Sequence, residues 1–427
     1  MNRTYIKNLG EGECLIKGYV EAIRDKKIMF LMIRDVTGAV QVTIEKDVCP
    51  EVYEEAKKLT FHSFVAVTGK CVNSPYVRNG GKEIYPSSLE ILSLADVLPI
   101  QSDSAVDLRM DYRWIDLRSE QNQLIYRMQT TMAAALRDFL LERDFTEIHT
   151  PKLIGAASES GSEVFAVKYF DTTAYLAQSP QFYKQMAMAS GLDRIFECGP
   201  VFRAEKSYTN KHATEFTGFD LEFSYVTSCE EVMQMEEEML AFAFARIAEK
   251  HGADIERLFG KKVIVPTTPF PRITLSELYA ELEKRYGYTV SPEAMDDLTT
   301  EAEHLCEKFS MEAYGSEFLF VTEFPAKKRA FYHMRDERGI PMGYDLIWRG
   351  CEITTGAVRE HRFDVLQKQA EEKGLDKDVE FYLQFFRYGC PPHGGFGIGI
   401  DRMTMLFLGL SIKETQFLFR GPNRLTP

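Results

Sequence analysis

Several things are missing from this chain, and each absence narrows what it can be. Its eight cysteines, at positions 14, 49, 71, 198, 229, 306, 351 and 390, are scattered and form no CxxC pair. That excludes a zinc ribbon and leaves free thiols in a reducing cytoplasm as the simplest expectation. No run approaches the ~18 apolar residues of a membrane span. The opening MNRTYIKNLGEGE has no apolar core segment, so no signal peptide is expected. There is no internal repeat, no low-complexity segment and no GxxxxGK[ST] phosphate loop. Positive charge is scarce, with 51 Lys and Arg against 64 Asp and Glu, a net charge of −13. A global count does not exclude a nucleic-acid partner, because phosphate contacts depend on local patches. Residues 1–100 carry thirteen basic and thirteen acidic side chains, so the acidic excess lies beyond them. At 427 residues, 45% of them hydrophobic, the chain can hold two or three domains with ordinary cores.

What is present is concentrated in a few stretches. Gly394 to Arg402 reads GGFGIGIDR. Alternate glycines leave one strand face almost bare, so a flat anionic ligand can approach the backbone. Arg402 follows with a planar, always-charged fork suited to phosphate. Taken alone, the stretch is as readily a glycine-rich strand packed on another backbone. Upstream stands Phe202-Arg203-Ala204-Glu205, then the polar loop KSYTNKHA with Lys211 and His212, then TEFTGFDLEFSY. The alternation of Phe216, Phe219, Leu221 and Phe223 suggests a returning strand. Arg203 and Arg402 could then clamp a triphosphate from two sides, although a lone FRAE is ordinarily a surface salt bridge.

Residues 1–98 read as five short strands: Glu13–Ile23, Met29–Arg34, Val40–Glu45, Ser63–Lys70 and Ile84–Leu92. A helix over Pro50–Leu59 follows the third, which fits an OB-fold barrel. Such barrels bind single-stranded nucleic acid by stacking bases on aromatics. Residues 99–118 read as a hinge, and a second domain is expected over 119–427, opening on a long helix at Asn122–Arg143. Residues of about 254–319 are helix-rich and lack the motifs, so they read as an insertion. Gln181, Lys184 and Gln185 share one helix face, behind the start signal Ser179-Pro180. Asp345 and Glu352 flank the tight turn Trp348-Arg349-Gly350, so a hairpin can bring the two carboxylates together, with Thr355 adding a hydroxyl. Such hard oxygens suit Mg²⁺, although two carboxylates on a solvated hairpin need hold nothing.

The order and spacing of these stretches resemble the class II aminoacyl-tRNA synthetases over nearly the whole chain. Motif one resembles FTEIHTPKL at Phe145–Leu153, with Pro151. Motif two resembles Phe202–Glu205 with its loop and return strand, and motif three Gly395–Arg402. The class I signatures HIGH and KMSKS are absent. The resemblance implies a multidomain α/β (α+β) chain, with an N-terminal OB-fold barrel and an antiparallel-sheet catalytic domain. QSPQFYKQ and EITTGAVREHR resemble the aspartyl group of the archaeal and eukaryotic kind. Asparaginyl relatives typically carry a leucine and a glutamate where this chain has Lys184 and Gln185, and a cation favours a carboxylate over an amide.

The resemblance also implies roles. Arg359 grips the side-chain carboxylate of L-aspartate, with Lys184 beside it and Gln181, Asp220 and Thr355 around them. Glu159, in the SESGSE loop, meets the substrate ammonium. Arg203 takes the α-phosphate of ATP and the substrate carboxylate. Glu205, Lys211 and His212 take the adenine and outer phosphates, and Arg402, after Gly399 and Asp401, the γ-phosphate. Asp345, Glu352 and Thr355 hold Mg²⁺. Phe30, Gln41 and Glu83 read the anticodon. A cytoplasmic homodimer is implied as well. Val358, Asp401 and the terminal LFRGPNRLTP depart from the family pattern. Charging of tRNA(Asp) is the expected activity. A variant charging both tRNA(Asp) and tRNA(Asn), an asparaginyl enzyme, an asparagine synthetase and a non-catalytic RNA-binding paralogue stand as rivals.

Overall fold

The computed structural model describes residues 2–77, 80–155, 164–206, 209 and 211–427. They form two compact units, Met1–Gln123 and Leu124–Pro427. In the first unit, strands β1 (Gly12–Asp25), β2 (Ile28–Asp35), β3 (Gly38–Glu45), β4 (Phe64–Asn73) and β5 (Lys82–Ser93) close a barrel in the order β1-β2-β3-β5-β4. Helix α1 (Pro50–Ala56) lies between β3 and β4 in sequence. This is the expected OB-fold. Alternation drives it: Leu31 and Ile33 of β2 and Val40 and Val42 of β3 are buried, and the intervening Met32 and Gln41 are only partly so. Long β1 serves two neighbours, pairing with β4 along its first half and β2 along its second, with a bulge at Val20–Ala22 where it bends. Short helices α2 (Val106–Asp111) and α3 (Arg113–Asp116) follow, where buried Arg113 is paired with Asp116.

Helix α4 (Glu120–Leu141) carries the chain into the second unit. Then come β6 (Thr146–Glu147), β7 (Leu153–Ile154), β8 (Ala166–Tyr169), β9 (Thr172–Leu176), α5 (Gln181–Ala189), β10 (Arg194–Phe202) and β11 (Glu215–Ser224). A second set follows: α6 (Cys229–Phe259), β12 (Arg272–Thr274), α7 (Leu275–Tyr286), α8 (Thr300–Tyr314), β13 (Phe318–Thr322), β14 (Gly343–Trp348) and β15 (Cys351–Arg359). The chain ends with α9 (Phe363–Glu372), α10 (Glu380–Arg387), β16 (His393–Gly399), α11 (Ile400–Leu408) and α12 (Ile412–Thr415). Eight strands form one sheet in the order β12-β13-β14-β15-β16-β11-β10-β6, antiparallel except at its two outermost pairs.

Register decides what each face of that sheet does. Phe219, Leu221 and Phe223 of β11 share a face with Phe396 and Ile398 of β16, Val358 of β15 and Leu346 of β14. All are buried in one core with Leu136 and Phe139 of α4 and Leu240 and Phe244 of α6. Fully burying each such side chain contributes roughly 1.5–3 kcal/mol, which fixes the sheet on its helices. The residues between them, one step out of phase, face the other way: Asp220 and Glu222, Gly395, Gly397 and Gly399, Thr355 and Arg359, Asp345. The β14–β15 hairpin turns on Arg349 (φ 48°) and Gly350 (φ 69°), the left-handed pair a two-residue hairpin needs.

Candidate active site

A cavity of about 320 Å³ opens on this second face of the sheet. At one end the polar groups are deeply buried. Lys184, on α5, is 1% exposed and its Nζ lies 3.1 Å from Asp220 Oδ1 and 3.3 Å from Glu222 Oε2. It also donates towards the carbonyls of Leu221 and Phe396, at 3.3 and 3.4 Å. Arg359 donates from Nε to Glu222 Oε1 and from Nη2 to the Gly395 carbonyl, both at 2.9 Å. Glu222 is completely buried between the two cations. Burial alone would raise its pKa, but Arg359 and Lys184 outweigh that and hold it below the ordinary value.

Behind this group lies a neutral hydrogen-bond chain. Gln181 Nε2 donates to Gln185 Oε1 at 3.0 Å, and Tyr382 Oη donates to the same oxygen at 2.9 Å. Gln185 Nε2 lies 3.0 Å from His393 Nε2, while His393 Nδ1 lies 2.8 Å from the Pro391 carbonyl. These contacts assign the proton to Nδ1 and the lone pair to Nε2. Burial lowers the His393 pKa to about 4, which keeps the ring neutral. His393 does not line the cavity; it orients Gln185, which orients Gln181 at the cavity wall.

In the middle, Asp345 and Glu352 converge on Thr355, whose Oγ1 is 2.9 Å from Asp345 Oδ1 and 3.0 Å from Glu352 Oε1. A bulge between Leu346 and Ile347 shifts the register so that Glu352 joins this face. One hydroxyl proton can serve only one carboxylate at a time. Arg329 grips Asp345 with both terminal nitrogens, at 2.9 and 2.6 Å. Burial raises the Asp345 pKa, Arg329 opposes this and Glu352 adds to it. Among the described residues no three His, Cys, Asp or Glu side chains gather as a metal cage. Two carboxylates sharing a hydroxyl do fit Mg²⁺, which takes one or two carboxylates and completes its shell with water and phosphate oxygens.

The other end is cationic and more open. Arg203, just past β10, stacks 5.4 Å over Phe216, with Nη1 3.9 Å from Glu205 Oε1. Glu205 Oε2 is 4.0 Å from His212 Nε2. Burial lowers the His212 pKa first, with Arg402, Lys211 and Arg203 contributing in the same direction. Arg402 donates to the Glu352 carbonyl at 2.9 Å, and Lys211 pairs with Glu303 of α8 at 2.8 Å. Gly399 caps α11 and lines the cavity. Asp401 also lines it, but its carboxylate accepts from Thr217 N (3.1 Å), Gln416 (3.2 Å) and Gln129 (3.3 Å). It therefore ties β11, α4 and the C-terminal segment together. Glu159 lies outside the described residues.

Three residues of this site went unmarked in the sequence. Glu222 could have been found, because it stands two positions after Asp220 on a strand and so shares its face. Arg329 and His333 sit outside helix and strand, where no periodicity points to them. In the barrel unit, Gln41 pairs with Glu83 across β3 and β5, and Phe30 with Thr43 across β2 and β3. Thr43 Oγ1 donates to Glu83 Oε2 at 2.6 Å and Gln41 Nε2 to the same oxygen at 3.3 Å. Burial would raise the Glu83 pKa, but these bonds with Ser74 and Tyr85 leave it lowered. The three expected base-contacting residues thus belong to one patch.

An antiparallel sheet bearing an arginine after one central strand, a second after the glycine strand and a closed end of buried charges defines a class II aminoacyl-tRNA synthetase. Within that class, residues 105–420 match the family of tRNA synthetases class II (D, K and N), residues 14–92 match the OB-fold nucleic acid binding domain, and the chain belongs to this family. An aspartate–tRNA(Asp/Asn) ligase of Methanopyrus kandleri is 41% identical over 424 residues, spanning 97% of this chain and 96% of its own. An aspartate–tRNA(Asp) ligase of Pyrococcus abyssi is 38% identical, spanning 96% and 95%. The crystal structure of asparaginyl-tRNA synthetase from Pyrococcus horikoshii with asparaginyl-adenylate superposes with a TM-score of 0.92 at 33% identity, over 100% of both chains.

Proposed function

We propose that the chain attaches L-aspartate to tRNA(Asp) through an aspartyl-adenylate, with ATP as the second small substrate. The observation that carries this reading is the convergence of Lys184 and Arg359 at the buried end of the cavity. Two fixed cations, already desolvated and held by Glu222, favour a side-chain carboxylate and offer nothing equivalent to an amide. Asp220 supplies a carboxylate for the substrate ammonium, with Glu159 as its expected companion. Gln181 and Thr355 complete the amino-acid end.

In the first step an aspartate α-carboxylate oxygen attacks the α-phosphorus of ATP. That O–P bond forms as the bond to the bridging oxygen of the β-phosphate breaks, and pyrophosphate leaves. No side-chain nucleophile takes part. Arg203 holds the α-phosphate and the attacking carboxylate, while Glu205, His212 and Lys211 hold the adenine and outer phosphates. Arg402 takes the γ-phosphate, beside Gly399 and Asp401. Orientation and charge neutralisation by these groups lower the barrier. Asp345, Glu352 and Thr355 would hold Mg²⁺, which when bound neutralises phosphate charge. Asp345 must then share its oxygens with Arg329. In the second step the terminal adenosine hydroxyl of tRNA attacks the mixed anhydride and AMP leaves. Phe30, Gln41 and Glu83 would read the anticodon. A cytoplasmic homodimer completes the reading.

Relatives at 41 and 39% identity are named for both tRNA(Asp) and tRNA(Asn), which favours a relaxed enzyme as the second reading. Charging of labelled aspartate onto separate tRNA(Asp) and tRNA(Asn) transcripts decides between them. In the same assay series, Arg359→Leu is expected to abolish aspartate-dependent ATP–pyrophosphate exchange. Retained exchange in that variant would remove Arg359 from the aspartate site. Asparagine activation by the native chain would replace the aspartate reading with an asparaginyl one.

A further inference from the structure

Arg359 has five N–H donors. Nε is committed to Glu222, Nη2 to the Gly395 carbonyl, and Nη1 to His333 Nε2 at 3.4 Å. Among the described residues nothing else takes a hydrogen bond from Arg359, which leaves two N–H groups, the number a bidentate carboxylate takes. Glu222 and Gly395 fasten the Nε and Nη2 ends only, so the Nη1 end depends on His333. The backbone explains why they meet. His333 and Arg359 face each other in an isolated antiparallel bridge, which sends both side chains to the same side. His333 is 4% exposed and lines the cavity.

The ring is confined. Its Nδ1 meets no hydrogen-bond partner among the described residues, a buried polar atom left unsatisfied. A Cβ on Gly343 would lie 2.8 Å from that Nδ1, so only glycine there leaves room for the ring. Burial, then Arg359 and Arg329, drives the His333 pKa well below its ordinary value. The imidazole is therefore neutral, with Nε2 as acceptor and the proton on Nδ1. This acceptor lies beside the expected side-chain end of the substrate. Left open, it would accept from the NH₂ of an amide.

We propose that His333 is the positioning residue that sets Arg359 for a side-chain carboxylate and, with its acceptor already occupied, withholds that acceptor from an amide. The inference rests on the aspartate reading above. The test compares the native chain with His333→Ala, His333→Gln and Gly343→Ala by ATP–pyrophosphate exchange, with aspartate and asparagine as alternative substrates. His333→Ala is expected to raise the aspartate KM about tenfold and to narrow the preference over asparagine, leaving the ATP KM within about twofold. Glutamine places an oxygen near the lost Nε2, so His333→Gln recovers most of the aspartate KM. Gly343→Ala, which pushes the ring, raises the aspartate KM again. An unchanged aspartate KM in His333→Ala overturns the proposal, as does a parallel rise in both KM values with no rescue by glutamine. If His333→Ala does not fold, an unchanged aspartate KM in Gly343→Ala overturns it equally. A native chain without aspartate-dependent exchange fails the substrate reading first and takes this inference with it.

Discussion

A methyl group at residue 397 would lie 2.6 Å from Asp220 Oδ1, and one at residue 395 would lie 2.2 Å from the Leu221 carbonyl oxygen. The first obstacle is the end of a side chain that can swing, and the second is backbone that cannot move without parting β11 from β16. Gly397→Ala therefore reports on function, whereas Gly395→Ala strikes stability first and, with its methyl also 2.6 Å from Glu222 Oε2, the aspartate end with it. Gly397→Ala is expected to turn Asp220 away from Lys184 and raise the aspartate KM about tenfold, through a weakened charged contact, with little change in thermal midpoint. Gly395→Ala is expected to lower the thermal midpoint by several degrees, since overpacking typically costs ~1–3 kcal/mol. Thermal melts alongside exchange kinetics would show it, and equal destabilisation by both would mean that Asp220 cannot yield. The alternating glycines were visible in the sequence, and a bare strand face followed from them. Their partners were not visible. Glycines 395 and 397 lie opposite Glu222 and Asp220 across β11 and β16, and make room for those carboxylates. That pairing spans more than 170 residues of sequence, and local pattern carries no register over such a distance.

Helix α6 holds the sheet from its other face, and one contact makes that grip sensitive to pH. Tyr344 Oη donates to Glu236 Oε2 at 2.7 Å, while Oε1 meets no hydrogen-bond partner among the described residues. Tyr344 fills the space a Cβ on Gly356 would need, 2.3 Å from its Oη, so the pair braces β14 and β15 behind the carboxylates of the site. Burial raises the Glu236 pKa from 4.5 to about 8, partly opposed by the Tyr344 bond. Between those values the folded chain keeps a proton that the unfolded chain releases. The associated stability is complete below pH 4.5 and is lost as pH rises through about 8. Glu236→Gln keeps an acceptor for Tyr344 but cannot ionise. Its stability in denaturant melts is expected to fall less steeply than the native chain's between pH 5 and pH 8, and parallel curves would show that Glu236 is ionised when folded. Elements of this kind were partly legible. The β14–β15 hairpin followed from a turn pair, and the face of α5 from helical spacing. The burial of a glutamate inside α6 was not, because EEE in a helix reads as a solvated face until the sheet is laid against it.

Over the whole chain the charge is −13, yet the proposed partner is a polyanion. The contradiction is settled locally. Residues 1–100, which contain the barrel strands, carry as many basic as acidic side chains, thirteen of each, so that stretch bears no net charge. In the second unit Arg203, Lys211 and Arg402 gather at one end of the cavity, while other acids lie on exposed helix surfaces, such as Glu283 of α7 and Glu307 of α8. Two kinds of electrostatics follow, with different responses to salt. Contacts between exposed lysines or arginines and tRNA phosphates release counterions, and six to ten of them lose roughly a thousandfold or more in affinity between 50 and 200 mM salt. Lys184, Arg359 and Glu222 are buried, 1%, 3% and 0% exposed, and pairs so placed are screened far less. Raising NaCl across that range is therefore expected to weaken tRNA binding steeply, measured by filter retention, while the KM for aspartate in pyrophosphate exchange changes by less than about twofold. If the aspartate KM rose as steeply as the tRNA dissociation constant, the Lys184–Arg359 end would have to open to solvent before substrate enters. Selection of aspartate would then belong to the closing of the site and not to the preset cations.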